Sequence, residues 1–337
     1  MSKQKSWENN GFILCKADIS IPAFVVLLIA VGRWLSFWIA NESSILLLSN
    51  YDILENIVFF FLPVMASIIY WIDAKQYGYS GLIIVIIISI LISGLITLIS
   101  LTTAIIFSFC CCLVFIVAIQ KKIITNIHRT KGIFITLICY FFTYTVGLIF
   151  LLKNNNYRMA RFMSILRFDL DTDIWKPNTD ALSFFFMYLI RQANVAFVGE
   201  ASFSFINTEL SVDEILRPVS RIGINPHFML TYAWLKFGII FCVFIILIGC
   251  GLCISLWRLT MRQQESFHFI NCIAITINIS TRFMIYLLPN LGIFYLNVYC
   301  PFISGSMVFV TLDVFLYILF IVYMTYFFKK QNKNGNL

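Results

Sequence analysis

The sequence predicts an all-α polytopic membrane protein with about eight transmembrane helices and one long extracellular loop containing a re-entrant or amphipathic helix. Three observations predict it. First, of 337 residues 61% are hydrophobic and 12% charged, whereas soluble domains run at about half apolar and about a quarter charged. Second, the mean hydropathy is +0.91, and 35 phenylalanines raise the aromatic share to 17%, which suits lipid-facing helices and interfacial belts. Third, the apolar residues fall in continuous runs of about 20, the length that spans a hydrocarbon core. They lack the period-two alternation of barrel strands. Soluble globular, disordered, collagen-like and disulfide-stapled secreted chains are excluded by the same arithmetic.

In chain order, residues 1–18 are a cytoplasmic N-terminus. Five predicted spans follow within residues 19–152: Ile19–Ala40, Tyr51–Ile72, Ser80–Ile99, Ser100–Gln120 and Gly132–Leu152. The third and fourth spans meet at Leu98–Thr103 with almost no connection, which predicts a tight antiparallel hairpin. Residues 153–231 are the extracellular loop. Three more spans occupy residues 232–328, at Tyr232–Trp257, Phe267–Pro289 and Cys300–Phe328, and residues 329–337 form a cytoplasmic tail. Orientation follows from the basic residues. Lys3, Lys5, Lys16, Lys75, Lys121, Lys122, Arg129, Lys131, Arg258, Arg262, Lys329, Lys330 and Lys333 all fall on one side, whereas the loops 41–50 and 290–299 carry none. Both termini are therefore expected in the cytoplasm. This bias explains the formal charge of +8 without a basic domain for nucleic acid. No cleavable leader is expected, because the first apolar run is long enough to span and lacks a small-residue cleavage site.

The 79-residue loop from Lys153 to Thr231 balances eight basic against eight acidic side chains. A connection this long in a compact protein is usually functional. Its apolar middle, Ala181–Val198, is interrupted by Arg191, Gln192 and Asn194, the pattern of a re-entrant or surface-lying helix. A full span there would place Arg258, Arg262, Lys329 and Lys330 outside, against the charge rule. Asp169, Asp171 and Asp173 alternate, but an EF-hand needs Gly at its sixth position and Glu at its twelfth. Ile174 and Asp180 stand there, so a solvated acidic turn is the reading. The ten cysteines show no paired spacing; Cys110, Cys111 and Cys112 within a span behave as small hydrophobes. No metal ligand set and no resident cofactor are predicted.

Several stretches, in a fixed order, resemble the FtsW/RodA/SpoVE (SEDS) family of bacterial cell-shape, division and sporulation proteins. Gly32-Arg33-Trp34-Leu35 is similar to the Gly-x-x-Arg-Trp-Ile that follows an early family helix, two residues shorter. Tyr157 to Leu166 is similar to the Tyr-x-x-x-Arg-Ile-x-x-Phe/Trp-Leu that opens the family's extracellular region. Pro226-His227-Phe228-Met229-Leu230, leading to Phe237-Gly238, resembles Thr-Asp-Phe-Ile-Leu before the next helix. Cys300-Pro301-Phe302-Ile303-Ser304-Gly305-Ser306 resembles Leu-Pro-Phe-Ile-Ser-Tyr-Gly-Gly, the most specific of the set. Leu101, Thr103 and Ala104 match a Gln-Pro-x-Leu-x-Thr-Ala turn, and Asn290-Leu291-Gly292 an Asn-x-Gly before the Pro-Phe-Ile-Ser run. The departures are equally specific. The chain aligns from the family's third span onward, and of the loop's glycine-rich stretch only Gly199 and Gly223 remain. Asp52 matches an acidic position, but Glu55 stands where the family has Lys, and the family's catalytic Asp aligns with His227.

The resemblance implies a protein of the bacterial cytoplasmic membrane that polymerises lipid II, the lipid-linked disaccharide-pentapeptide, into glycan strands. A class B penicillin-binding protein and membrane lipids are the implied partners, and nucleic acid is not. Such a glycosyltransferase needs a base for the incoming sugar hydroxyl and positive charge for the leaving pyrophosphate, a role that a divalent cation also suits. His227 is the candidate base by position, since an imidazole titrates near neutrality. Asp213 and Glu214 are candidate substitutes, and Arg158, Arg161, Arg217 and Arg221 are candidate pyrophosphate contacts. An interfacial histidine and a solvated basic face are the simpler readings of the same residues. Catalysis is expected to be weakened or lost, because several motif positions fail together.

Within the spans, Arg282 and Asp313 are expected to face protein and pair with each other. Intramembrane charges also mark transport pathways, so a transporter or flippase of a lipid-linked or small substrate is the alternative reading. The even span count and the long fifth-to-sixth loop argue against a seven-helix receptor.

Overall fold

Long runs of Leu, Ile, Val and Phe must satisfy their backbone polar groups internally once water is excluded, and the α-helix does so within one segment. The computed structural model describes residues 16–39, 59, 61–74, 77–97, 101–124, 127–153, 193–194, 196–203, 229–291, 299–303 and 307–334. Among these, the helices are α1 (Lys16–Ile39), α2 (Phe61–Ala74), α3 (Gly78–Thr97), α4 (Leu101–Gln120), α5 (Arg129–Lys153), α6 (Met229–Phe237), α7 (Ile239–Met261), α8 (Ser266–Asn290) and α9 (Met307–Asn334). Among the described residues, three segments are long and apolar enough to cross a membrane: Thr103–Gln120, Ile239–Met261 and Ser266–Leu288. Shorter apolar helical segments lie at Ile21–Gly32, Phe61–Trp71, Gly78–Ser93 and Val310–Thr325. The protein is therefore predominantly helical, with the character of a membrane protein.

Helix α8 is the axis of the assembly. It packs against α2, α4, α6, α7 and α9, and 78% of its membrane-length segment is buried, against 17% for α7. The sequence of α8 accounts for this placement. Asn271, Thr276, Asn278, Arg282 and Asn290 interrupt its apolar run and are all buried. Polar side chains on a membrane helix turn toward protein, where they find partners. Ser67 of α2 donates to Asn271 at 3.0 Å, and Thr260 of α7 shares a hydrogen bond with Thr276 at 2.8 Å. Helix α7, whose run is almost entirely apolar as far as Ser255, is left at the periphery.

Helices α3 and α4 pack on each other with only residues 98–100 between them, as a tight antiparallel pair must. Hydroxyls knit them to each other and to α5. Ser93 and Ser108 lie 2.5 Å apart, Ser89 and Tyr140 likewise 2.5 Å, and Tyr144 donates to the Ile105 carbonyl at 3.3 Å. In a medium as apolar as the side chains themselves, such bonds and close packing hold helices together.

Three sequence expectations change. The helix expected from Tyr232 starts earlier, at Met229, and breaks at Gly238 into α6 and α7. Gly238 has φ 88, a left-handed conformation that favours glycine. A Cβ there would lie 2.7 Å from the Phe197 carbonyl oxygen. Segment 196–201 occupies that space and satisfies the broken ladder: Gly199 and Ala201 donate to Phe237 and Leu235, while Ile239 and Ile240 donate to Ala196 and Phe197. The helix expected across Ala181–Val198 does not include Ala193–Asn194 (β1), which pairs antiparallel with Ser202–Phe203 (β2); residues 181–192 lie outside the described set. Finally, Cys300–Ile303 is not the first turn of the last helix. Pro301 has no amide hydrogen and Phe302 has φ 66, so these residues form a separate turn before α9 begins at Met307.

Candidate functional site at the buried end of α8

Arg282 on α8 and Asp313 on α9 form a bidentate pair, with Nη1 to Oδ1 at 2.5 Å and Nη2 to Oδ2 at 3.3 Å. Both residues are almost fully buried, at 2% and 1% exposure. An isolated charge at that depth is costly, whereas a forked, charge-assisted contact offsets the desolvation. The pairing expected from the sequence is present.

The structure adds partners that the sequence did not single out. The Phe302 amide donates to Asp313 Oδ2 at 3.1 Å, so the carboxylate also anchors the turn of the Pro301-Phe302 motif. The Phe302 ring meets Tyr317 edge-on, with centroids 6.1 Å apart. Tyr317 lies one helical turn beyond Asp313, so a single face of α9 holds both the backbone and the ring of Phe302. A left-handed Phe costs roughly 1–2 kcal/mol, and a hydrogen bond to a charged acceptor contributes about 1.5–3 kcal/mol, enough to hold it. The Phe59 ring sits 5.5 Å from the guanidinium carbon of Arg282, within cation–π range. Asn278, one turn before Arg282, donates to the Phe59 carbonyl at 3.1 Å. Arg282 Nε and Asn278 Oδ1 have no hydrogen-bond partner among the described residues. Phe59 belongs to an apolar run, so its role was not legible. Asn278 was, as a polar interruption one turn from Arg282.

A second tie joins α6 to the end of α8. The Thr231 amide donates to Asn290 Oδ1 at 2.9 Å, and the Thr231 hydroxyl reaches the same oxygen at 3.0 Å. The Leu230 amide donates to the Tyr286 hydroxyl at 3.3 Å. Asn290 of the Asn-Leu-Gly stretch thus fixes the first turn of α6, the helix that follows Pro226-His227 in sequence. Stretches far apart in the chain converge on α8.

This arrangement does not itself offer a base. Asp313 accepts from both guanidinium nitrogens and from Phe302, which leaves it committed to holding the turn. Beneath that turn, an apolar space of about 150 Å³ is lined by residues including Gly249, Cys253, Phe283 and Pro301–Ile303. Among the described residues, no three His, Cys, Asp or Glu side chains converge as a metal ion would require.

Of the residues singled out in the sequence, Pro301 and Phe302 are buried beside the Arg282–Asp313 pair. Gly32 is exposed on α1, with open space where a Cβ would point. The side chains of Arg33 and Trp34 lie outside the described set, as do Asp52, Glu55, Tyr157, Arg158, Arg161, Asp213, Glu214, Arg217, Arg221, His227 and Ser304. Compared with protein-family models and with curated proteins, the sequence matches none.

Proposed function

We propose that the chain is a divergent FtsW/RodA-like protein of peptidoglycan assembly, serving cell division, cell shape or sporulation. In this reading it spans the bacterial cytoplasmic membrane eight times, with both termini cytoplasmic. It binds lipid II or another undecaprenyl-linked substrate at the outer face, with glycan polymerisation weakened or lost. The observation that carries this is the ordered set of motif-like stretches from Gly32 to Ser306. The packing of Pro301–Phe302 against Asp313 and of Thr231 against Asn290 supports it, because these stretches then serve one buried region rather than standing apart. The experiment is lipid II polymerisation by the purified protein, with and without a class B penicillin-binding partner, alongside His227→Ala and an Asp213→Ala/Glu214→Ala variant. The expected outcome is lipid II binding with little or no glycan product. Strands that vanish with one variant would instead identify an active enzyme and its base. The absence of both glycan product and lipid II binding would overturn the reading.

The broken helix at Gly238 and the buried charges of α8 and α9 favour a second reading, a transporter or flippase, since discontinuous helices recur at transport sites. Translocation of a fluorescent lipid-linked sugar across proteoliposomes, without polymer, would select it.

A further inference from the structure

The flank between α1 and α7 is not filled by any described residue. A groove of about 370 Å³ runs between Ile21, Pro22 and Val25 of α1 and Gly251, Leu252 and Ser255 of α7. Ile248 and Leu252 line both this groove and the space under the Pro301 turn, so the two adjoin. Together their α7 lining extends from Ile245 to Ser255. At roughly 1.5 Å per residue that is about 15 Å, half of a hydrocarbon core of roughly 30 Å. The length matches one leaflet.

The helix surfaces that carry the groove are apolar. Phe24 and Leu28 on α1 and Leu247 and Ile254 on α7 are exposed beside it, on the helix with the least buried membrane-length segment. Water gains little in a space with so few polar partners, whereas an empty apolar groove forgoes dispersion contacts that a hydrocarbon chain supplies. At the Ser255 end, exposed Arg258 follows three residues later on the same helical face. A basic residue at the end of an apolar helix is placed to meet an anionic headgroup.

We propose that this groove binds one acyl chain of an anionic phospholipid, with its phosphate on Arg258. This site is independent of the proposed function. The test uses the full chain in nanodiscs of mixed phosphatidylglycerol and phosphatidylcholine, with retained lipid measured by native mass spectrometry and folding followed by thermal denaturation. Wild type is expected to retain phosphatidylglycerol preferentially. A Cβ on Gly251 meets nothing within 4 Å, so Gly251→Phe places a ring in the groove without a backbone clash and is expected to expel the lipid. Arg258→Gln is expected to lower phosphatidylglycerol retention about fivefold, the worth of one basic contact near an anionic surface. Phe134→Leu, on the exposed face of α5 away from the groove, is expected to change neither. If Gly251→Phe does not fold, Ile21→Trp blocks the groove from the α1 side. Retention unchanged in a folded groove-blocked variant overturns the proposal. So does equal retention of the two lipids, or recovery of a polyprenyl phosphate in place of the phospholipid.

Discussion

Taking a guanidinium and a carboxylate out of water costs several kcal/mol for each ion, and only their mutual contact and further hydrogen bonds offset it. At Arg282 and Asp313 that offset comes from the forked contact, the Phe302 amide and the Phe59 ring. Removing one partner leaves a buried charge alone. Asp313→Ala or Arg282→Ala is therefore expected to destabilise the protein by roughly 3–5 kcal/mol, read as a lowered thermal midpoint in detergent. The double variant Arg282→Met/Asp313→Leu is expected to recover most of that loss, because a packed apolar pair carries no desolvation penalty. If the double variant is as unstable as the singles, Asp313 acts mainly through the Phe302 turn rather than through Arg282. Asn290 is the second such position. Asn290→Ala leaves the Thr231 amide without its acceptor, while the Thr231 hydroxyl keeps the backbone carbonyl of residue 290, at a cost of about 1–3 kcal/mol.

Elements differ in how much a single bond matters to them. The hydroxyl contacts among α3, α4 and α5 are numerous and individually small. Ser93→Ala is expected to cost about 0.6 kcal/mol, the mean for interhelical hydrogen bonds in a membrane, and to leave the fold intact. The α6–α7 break is the opposite case. Gly238→Ala meets both a left-handed φ and the Phe197 carbonyl, and the clash is with backbone, which cannot swing aside. Displacing segment 196–201 would also expose the amides and carbonyls it now satisfies. The expected loss is larger, roughly 1–3 kcal/mol, with faster proteolysis near residues 196–201 as the local readout. Proteolysis unchanged from wild type would mean that the segment does not depend on the break.

For the whole molecule, the distribution of basic residues makes a topological prediction. Single cysteines at Lys3, Lys131 and Lys333, placed in a background lacking the native cysteines, are expected to react with an impermeant thiol reagent only from the cytoplasmic side. A cysteine at Ser44 is expected to react only from outside. Labelling of Lys3→Cys and Lys333→Cys from opposite sides would give an odd number of spans and remove the eight-span arrangement.

The sequence alone accounts for the predominantly helical, membrane-type character of the protein, because excluding water from a polar backbone leaves an apolar run little alternative. It also fixed which residues are costly within those helices. Arg282 and Asp313 stood out on charge alone, and their pairing followed from the energy of an unpaired charge. The tertiary structure decided what depends on residues distant in the chain. The Phe302 amide meets Asp313, and the Phe59 carbonyl meets Asn278, because several helices pack around α8; neither backbone group carries a sequence signal. The break at Gly238 is of the same kind. A glycine in an apolar run is tolerated inside a helix, and only the arrival of the Phe197 backbone against it turns that tolerance into a requirement. Local composition sets which segments are helical, whereas contacts between remote segments set where those helices bend and which polar atoms they hold in common.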